Sequence, residues 1–192
     1  WALNIYFFKR MIQWSHFIQR GIVMSNLTLN QVVRESITEG LLRLMRNKEF
    51  GKIKIKEITD LAGVGRVSFY RNFGSKKEVV IQQLNEITKK WCCIHHDQLH
   101  GFKDYLPLLE ELKPILVVLK MSNSTNVLYD YLYESLLPKM DNPRKGYVLE
   151  MYAGMFFGIM NHWMRNGFKE NQEELRDYLN CFDRYPLEKE IL

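Results

Sequence analysis

The sequence predicts an all-α protein with a head of three short N-terminal helices and a larger helical body. Apolar residues recur at steps of three and four through one stretch after another, the spacing of a helix with one buried face. Only 11 Gly and 5 Pro stand among 192 residues, and the clearest breaks, such as Asp141-Asn142-Pro143 and Asn166-Gly167-Phe168, fall between the periodic stretches. No segment alternates convincingly with the period of two that marks a strand. Apolar residues make up 46% of the chain, enough to fill a core, and charged residues 26%.

The first helix is expected over Leu29 to Met45, where Leu29, Val32, Val33, Ile37, Leu41, Leu42, Leu44 and Met45 form the buried stripe. Thr28 with Gln31 three residues on makes a capping-box pattern. After a break at 47–51, Ile55 to Ala62 is a short second helix with Ile55, Ile58, Leu61 and Ala62 inward. Gly63-Val64-Gly65 is a tight turn. Arg66 to Phe73 is a third short helix, with Val67, Tyr70 and Phe73 at packing positions and Gly74 as a left-handed cap. Ser75 can cap a long fourth helix from Lys76 to about His100. Four more helices are expected: Lys103 to Lys120 interrupted at Pro114, Ser124 to Lys139, Arg144 to Asn166, and Glu170 to about Phe182.

The charge is unevenly spread. The net is +5 for the whole chain. Residues 26–76 hold ten Lys and Arg against five Asp and Glu, whereas residues 77–192 hold fourteen against seventeen. A basic head on a mildly acidic body suits a polyanion-binding head whose body has another task. Residues 26–76 are therefore expected to form one domain and 77–192 a second. Cys92, Cys93 and Cys181 are odd in number and two are adjacent, which argues against a disulfide framework and for a reducing cytoplasm. No apolar run approaches the roughly 20 residues of a membrane span. Residues 1–25 form an extension without clean periodicity or a signal-peptide cleavage site. Met24 follows Arg20-Gly21, which a purine run resembling a ribosome-binding site can encode, so Met24 is an expected natural start. N-terminal sequencing of the natural protein tests this, and a mature end before residue 20 would refute it.

Two short helices joined by a glycine-containing turn let the second lie in a DNA major groove while the first braces it. Here Ile55 to Ala62 is the brace and Arg66 to Phe73 the reader, with Gly63 and Gly65 giving the turn its freedom. Lys52, Lys54 and Lys56 stand before and at the start of the brace, and Arg66, Arg71 and Lys76 surround the reader, where positive charges suit phosphates on both sides of a groove.

The run ITDLAGVGRVSFYRNFGSKKEVV at 58–80 resembles the signature of the TetR/AcrR transcription regulators, roughly IAxxAGVSxx, then Thr or Ser, Leu or Phe, Tyr, any residue, His or Tyr, Phe, and a short polar stretch ending in Lys. With the preceding helix the likeness extends over residues 28–90. It implies DNA binding through Arg66, Val67, Ser68, Tyr70, Arg71 and Asn72 on the reader, with the Tyr70 hydroxyl on a phosphate. Lys76 would hold another phosphate with its ammonium and the N-terminal amides of its helix. Lys54 would stand beside the backbone, and Thr59, where the family often has Ala, would touch it. Gly65 replaces the family's common Ser, which removes a capping hydroxyl, and Asn72 replaces its common His.

The resemblance also implies a body that binds a small-molecule effector and pairs two subunits through the last two helices. Gly154 and Gly158, four apart, allow close helix approach, and Ile159, His162, Trp163, Leu175 and Leu179 continue that surface. The stretch from Tyr152 to Phe168 is similar to the C-terminal region of a Firmicute subgroup, one class of which governs dihydroxyacetone-kinase operons. A homodimer would read a palindromic double-stranded operator. Trp91, His95, His96, Tyr105, Tyr129, Tyr133, Met151 and Met155 are the candidate effector contacts, being aromatic, imidazole or thioether groups of the kind that line apolar cavities. Cys92, His96 and His100 share a helix face at a spacing of four that could hold Zn²⁺, yet soluble helices carry such residues without metal, and no metal or cofactor is expected. The leading expectation is thus a ligand-responsive repressor. An activator or coactivator of the same fold working with a protein partner is the second, with a metal-responsive sensor as a variant of the first. The absence of a nucleophile motif, phosphate loop or paired-carboxylate signature argues against an enzyme.

Overall fold

In the computed structural model, residues 29–95, 106–136 and 143–183 are described. They form eight α-helices: α1 Leu29–Met45, α2 Ile55–Ala62, α3 Arg66–Asn72, α4 Lys76–His95, α5 Leu106–Met121, α6 Asn126–Leu136, α7 Pro143–Arg165 and α8 Gln172–Asp183, with a single 3₁₀ turn at Phe50–Lys52. There is no strand among the described residues.

The head is built on α1. Its inward residues Ile37, Leu41 and Met45 are fully buried, and Ile58 of α2, Phe69 of α3 and Val79 of α4 share the same core. Gly40 permits the closest approach: a Cβ there would lie 3.2 Å from the Ile58 carbonyl oxygen and 3.6 Å from the Ala62 Cβ. A side chain at 40 would push α1 away from the brace. α4 then belongs to both parts of the molecule, packing on α1 as well as on α5 and α6. The Ser75 hydroxyl accepts the Glu78 N–H at 3.2 Å and begins this helix as expected.

α5 is the centre of the body. Leu106, Leu108, Leu109, Leu112, Ile115, Leu116, Val118 and Leu119 are all buried, so apolar groups cover most of its circumference, as in a helix with neighbours on several sides. Those neighbours are α1, α4, α7 and α8. Pro114 does not interrupt it: the helix runs unbroken from Leu106 to Met121. Pro114 lies on the exposed side, where the carbonyl one turn back can find water in place of the missing N–H. α8 opens with a reciprocal cap. Asn171 Oδ1 accepts the N–H groups of Glu173 and Glu174 at 2.9 and 3.0 Å, and Glu174 Oε2 accepts the Asn171 N–H at 2.9 Å.

Head and body meet where α1 packs on α5 and at two polar contacts. The Phe50 N–H donates to the Ser122 carbonyl at 2.8 Å, joining the α1–α2 loop to the turn after α5. In that turn the buried Ser122 and Ser124 hydroxyls bond each other at 2.7 Å and reach back to α5 carbonyls. Lys77, at the start of α4, pairs with Asp130 at 3.0 Å and Glu134 at 3.4 Å on α6, and both carboxylates raise its pKa, Asp130 the more.

Candidate nucleic-acid interface

The brace and reader are held by backbone geometry at one glycine. Gly63 ends α2 in the left-handed conformation, φ 67° and ψ 29°. The Val64 N–H then bonds the Thr59 carbonyl at 3.0 Å, closing the last turn. Gly65 is different. It precedes α3 with φ −78° and ψ 155°, a conformation open to any residue, so the turn takes its freedom from Gly63 alone. Gly74 is not a left-handed cap either: α3 ends at Asn72 on an extended Phe73, φ −145°. The Gly74 N–H donates to Glu78 Oε2 at 2.7 Å, and a Cβ would stand 3.0 Å from that oxygen.

α3 is pinned by Phe69 and Phe73, four residues apart. Phe69 is 0% exposed and Phe73 2%, with the Arg34 guanidinium 5.1 Å above the Phe73 ring. Val67 and Tyr70, expected at packing positions, are instead 72% and 59% exposed; Phe69 takes the core position that the sequence reading had missed. The helix therefore turns Arg66, Val67, Tyr70 and Arg71 outward. Asn72 leans the other way. Its side-chain amide donates to the Ser68 carbonyl at 2.8 Å, and it lines a polar groove between α1 and α4 with Arg34, Gln82 and the neighbouring Arg71, which reaches both the groove and the outward face. Ser68 is half-buried on that same side.

Two expected phosphate ligands are placed otherwise. Thr59 is 2% exposed, its hydroxyl donating to the Lys56 carbonyl at 3.0 Å; the side chain completes the helix rather than reaching outward. Lys76 points into the protein. Its ammonium donates to the carbonyls of Phe50 at 2.5 Å, Ile53 at 2.8 Å and Gly51 at 3.3 Å, and sits 4.8 Å from the centre of the Phe50 ring. Three N–H donors meet three acceptors, which leaves none for a phosphate. Burial lowers its pKa, Glu57 opposing and Lys48 adding to that shift. Lys76 is thus a staple for the loop that leads into the brace. The brace is steadied further by Glu57, which accepts the Lys54 N–H at 2.9 Å and pairs with Lys48 at 2.7 Å. First the Lys48 hydrogen bond and then that from Lys54 hold its carboxyl below the usual range. The Lys54 and Lys56 side chains stay exposed beside it.

Two family models match the chain. One, described as bacterial regulatory proteins of the tetR family, matches residues 37–82 and so contains the whole helix-turn-helix. The other, described as a transcriptional regulator C-terminal region, matches residues 97–182. The chain belongs to the TetR family. It is a DNA-binding transcriptional regulator. No curated protein matches the chain.

In the body of this TetR-family regulator, the expected effector contacts among the described residues lie in separate local clusters. Trp91 is buried and stacks on His95, ring centres 4.4 Å apart, while a His95 ring nitrogen bonds the Trp91 carbonyl at 2.9 Å. Tyr129 and Tyr133 stack at the surface, Tyr129 meeting the edge of Phe157 at 5.4 Å, and Met151 is half exposed. Met155 is partly buried. His96 and Tyr105 lie outside the described residues, as does His100. Cys92 is buried, and burial pushes its thiol from 9.0 up to about 12. Among the described residues no group of three His, Cys, Asp or Glu is placed to hold a metal, and no helix is long and apolar enough to cross a membrane.

Along α7, Tyr147, Met151, Gly154, Gly158 and His162 are exposed at helical spacing. A groove of about 250 Å³ opens beside them, lined by Gly158, Ile159, His162, Trp163, Glu170, Leu175 and Tyr178. Trp163 is the floor of this groove more than a projecting contact. It is 1% exposed, its indole N–H donates to the Glu170 carbonyl at 3.0 Å, and Phe168 meets it edge-on at 4.9 Å. Leu175 is likewise mostly buried within its own chain. Leu179 lies where side chains are not described. Glu170 Oε2 is buried without a hydrogen-bond partner. Its carboxyl is nonetheless held below the usual range, first by its own backbone N–H and then by the Asn166 amide.

Proposed function

We propose that this regulator is a ligand-responsive homodimeric repressor of the cytoplasm, without enzymatic activity, which holds a palindromic duplex operator through Lys54, Arg66, Val67, Tyr70 and Arg71, with Ser68 beside them. The observation that carries the reading is the two-sided construction of α3. Phe69 and Phe73 fix one side in the core, and the other side offers two guanidinium groups, a phenol and an isopropyl group to solvent. Such a face combines charge for phosphates with hydrogen-bonding and apolar groups for base edges.

Pairing is supported by the exposed small and apolar groups along α7 and by the adjoining groove, whose orphaned Glu170 oxygen asks for a donor that a second copy can bring. Two subunits would set two α3 helices against two half-sites. An effector bound in the body would act on the head through α4, through the packing of α1 on α5 and through the Phe50–Ser122 bond, all of which join the two. Binding to the chain's own upstream DNA in a gel shift, beside sedimentation equilibrium, tests the reading. Arg71→Ala and Tyr70→Ala are expected to weaken binding about 5- to 150-fold, the range for a lost specific contact, while leaving the dimer intact. Gly158→Arg is expected to give a folded monomer with weakened binding. Unchanged binding in both α3 variants would refute the interface.

A further inference from the structure

We propose that Val67 reads a thymine: its isopropyl group meets the C5-methyl of a thymine in each half-site, and this contact sets part of the operator's sequence. The inference rests on α3 being the DNA-reading helix and says what one of its residues recognises.

Val67 is two residues from the fully buried Phe69, and two residues on a helix is a turn of roughly 200°. Val67 therefore stands nearly opposite the core side, between Tyr70 and Arg71, at the centre of the outward face. Nothing in the fold accounts for a valine there. At 72% exposed it gains little from burial, and a β-branched side chain is a poor helix former. A residue that breaks a local preference without a gain inside the chain points to a gain outside it. Among base edges in the major groove, only thymine presents an apolar group.

A second observation concerns Gly65, immediately before α3. Its backbone conformation does not need glycine, and a Cβ built there would meet nothing within 4 Å. As the N-cap of α3 it holds a place that ordinarily takes a small residue, and the space beside it is open to an approaching molecule. Bare backbone at 65 and an exposed isopropyl group at 67 together allow base edges to come up to Val67.

The test uses duplexes enriched by the purified protein from a random-sequence pool. In the enriched duplex, thymines are replaced one at a time by deoxyuridine, which removes only the methyl group. Affinity is then measured by fluorescence anisotropy for the wild type and for Val67→Ala. One thymine per half-site is expected to be sensitive, the wild type losing about fourfold on its replacement, as befits one buried methyl. Val67→Ala is expected to bind thymine and uracil alike at that position and to keep its sensitivity to changes elsewhere in the site. Because the side chain is exposed, its thermal unfolding should match the wild type. Uracil tolerated at every position would overturn the proposal, and so would an undiminished penalty in Val67→Ala. Failure to enrich any duplex would instead overturn the reading of α3 as the DNA-binding helix, and Val67's role with it.

Discussion

Replacing Lys76 by methionine separates a staple from a phosphate ligand. The substitution keeps most of the side chain's length and removes only the ammonium and its donors. Three carbonyls, those of Phe50, Gly51 and Ile53, then lose a charged partner. One hydrogen bond to a charged group contributes about 1.5–3 kcal/mol, and the ammonium over the Phe50 ring adds roughly 0.5–1 kcal/mol. The bonds share one donor group and the Gly51 bond is long, so they do not add in full; a loss of about 2–4 kcal/mol is expected. For a chain of this size that corresponds to a fall in Tm of roughly 5–15 °C, measurable by circular dichroism. DNA affinity distinguishes the two roles. A lost phosphate contact flattens the slope of log K against log salt by about 0.9, whereas a lost staple lowers the amount of folded head and leaves the slope alone. A Lys76→Met protein as stable as the wild type, with a slope reduced by about 0.9, would refute the placement and put the ammonium on the DNA.

The two glycines of the helix-turn-helix should respond oppositely. Gly63→Ala places a Cβ at φ 67° and is expected to lose roughly 1–2 kcal/mol in urea unfolding, while Gly65→Ser, at an ordinary N-cap conformation, should gain a few tenths of a kcal/mol. Glu57 predicts an acid-sensitive head. Because folding lowers its pKa below 4.5, its contribution is present above that value and fades as pH falls through the folded-state pKa; Glu57→Gln should flatten that part of the stability profile, and a profile identical to the wild type would exclude the role. The neighbouring cysteines should also differ. With Cys92 at about 12 and Cys93 exposed, iodoacetamide at pH 8 should label Cys93 in the folded Cys92→Ser variant much faster than Cys92 in the Cys93→Ser variant, and equal rates would show that Cys92 is not held in the core.

The sequence by itself determined the succession of helices, because hydrophobic periodicity and breakers are local signals. Leu29–Met45 and Ile55–Ala62 could be bounded to the residue from apolar spacing and the Gly63 turn, and the run at 58–80 identified the DNA-binding module. Which residue of α3 faces the core was a closer matter: Val67 and Phe69 are both apolar, and about two turns of helix give too little period to separate them, though Phe69 and Phe73 at a spacing of four were a usable signal. What only the tertiary structure decided is where charged and polar side chains end. Lys76 has the composition of a phosphate ligand, and its destination depends on three carbonyls more than twenty residues earlier, brought to it by the packing of α1, the loop and α4. Thr59 and Trp163 follow the same rule, turned inward by neighbours that no local pattern names. A side chain's type sets what it can bond, and the fold sets which partners lie within 3 Å of it.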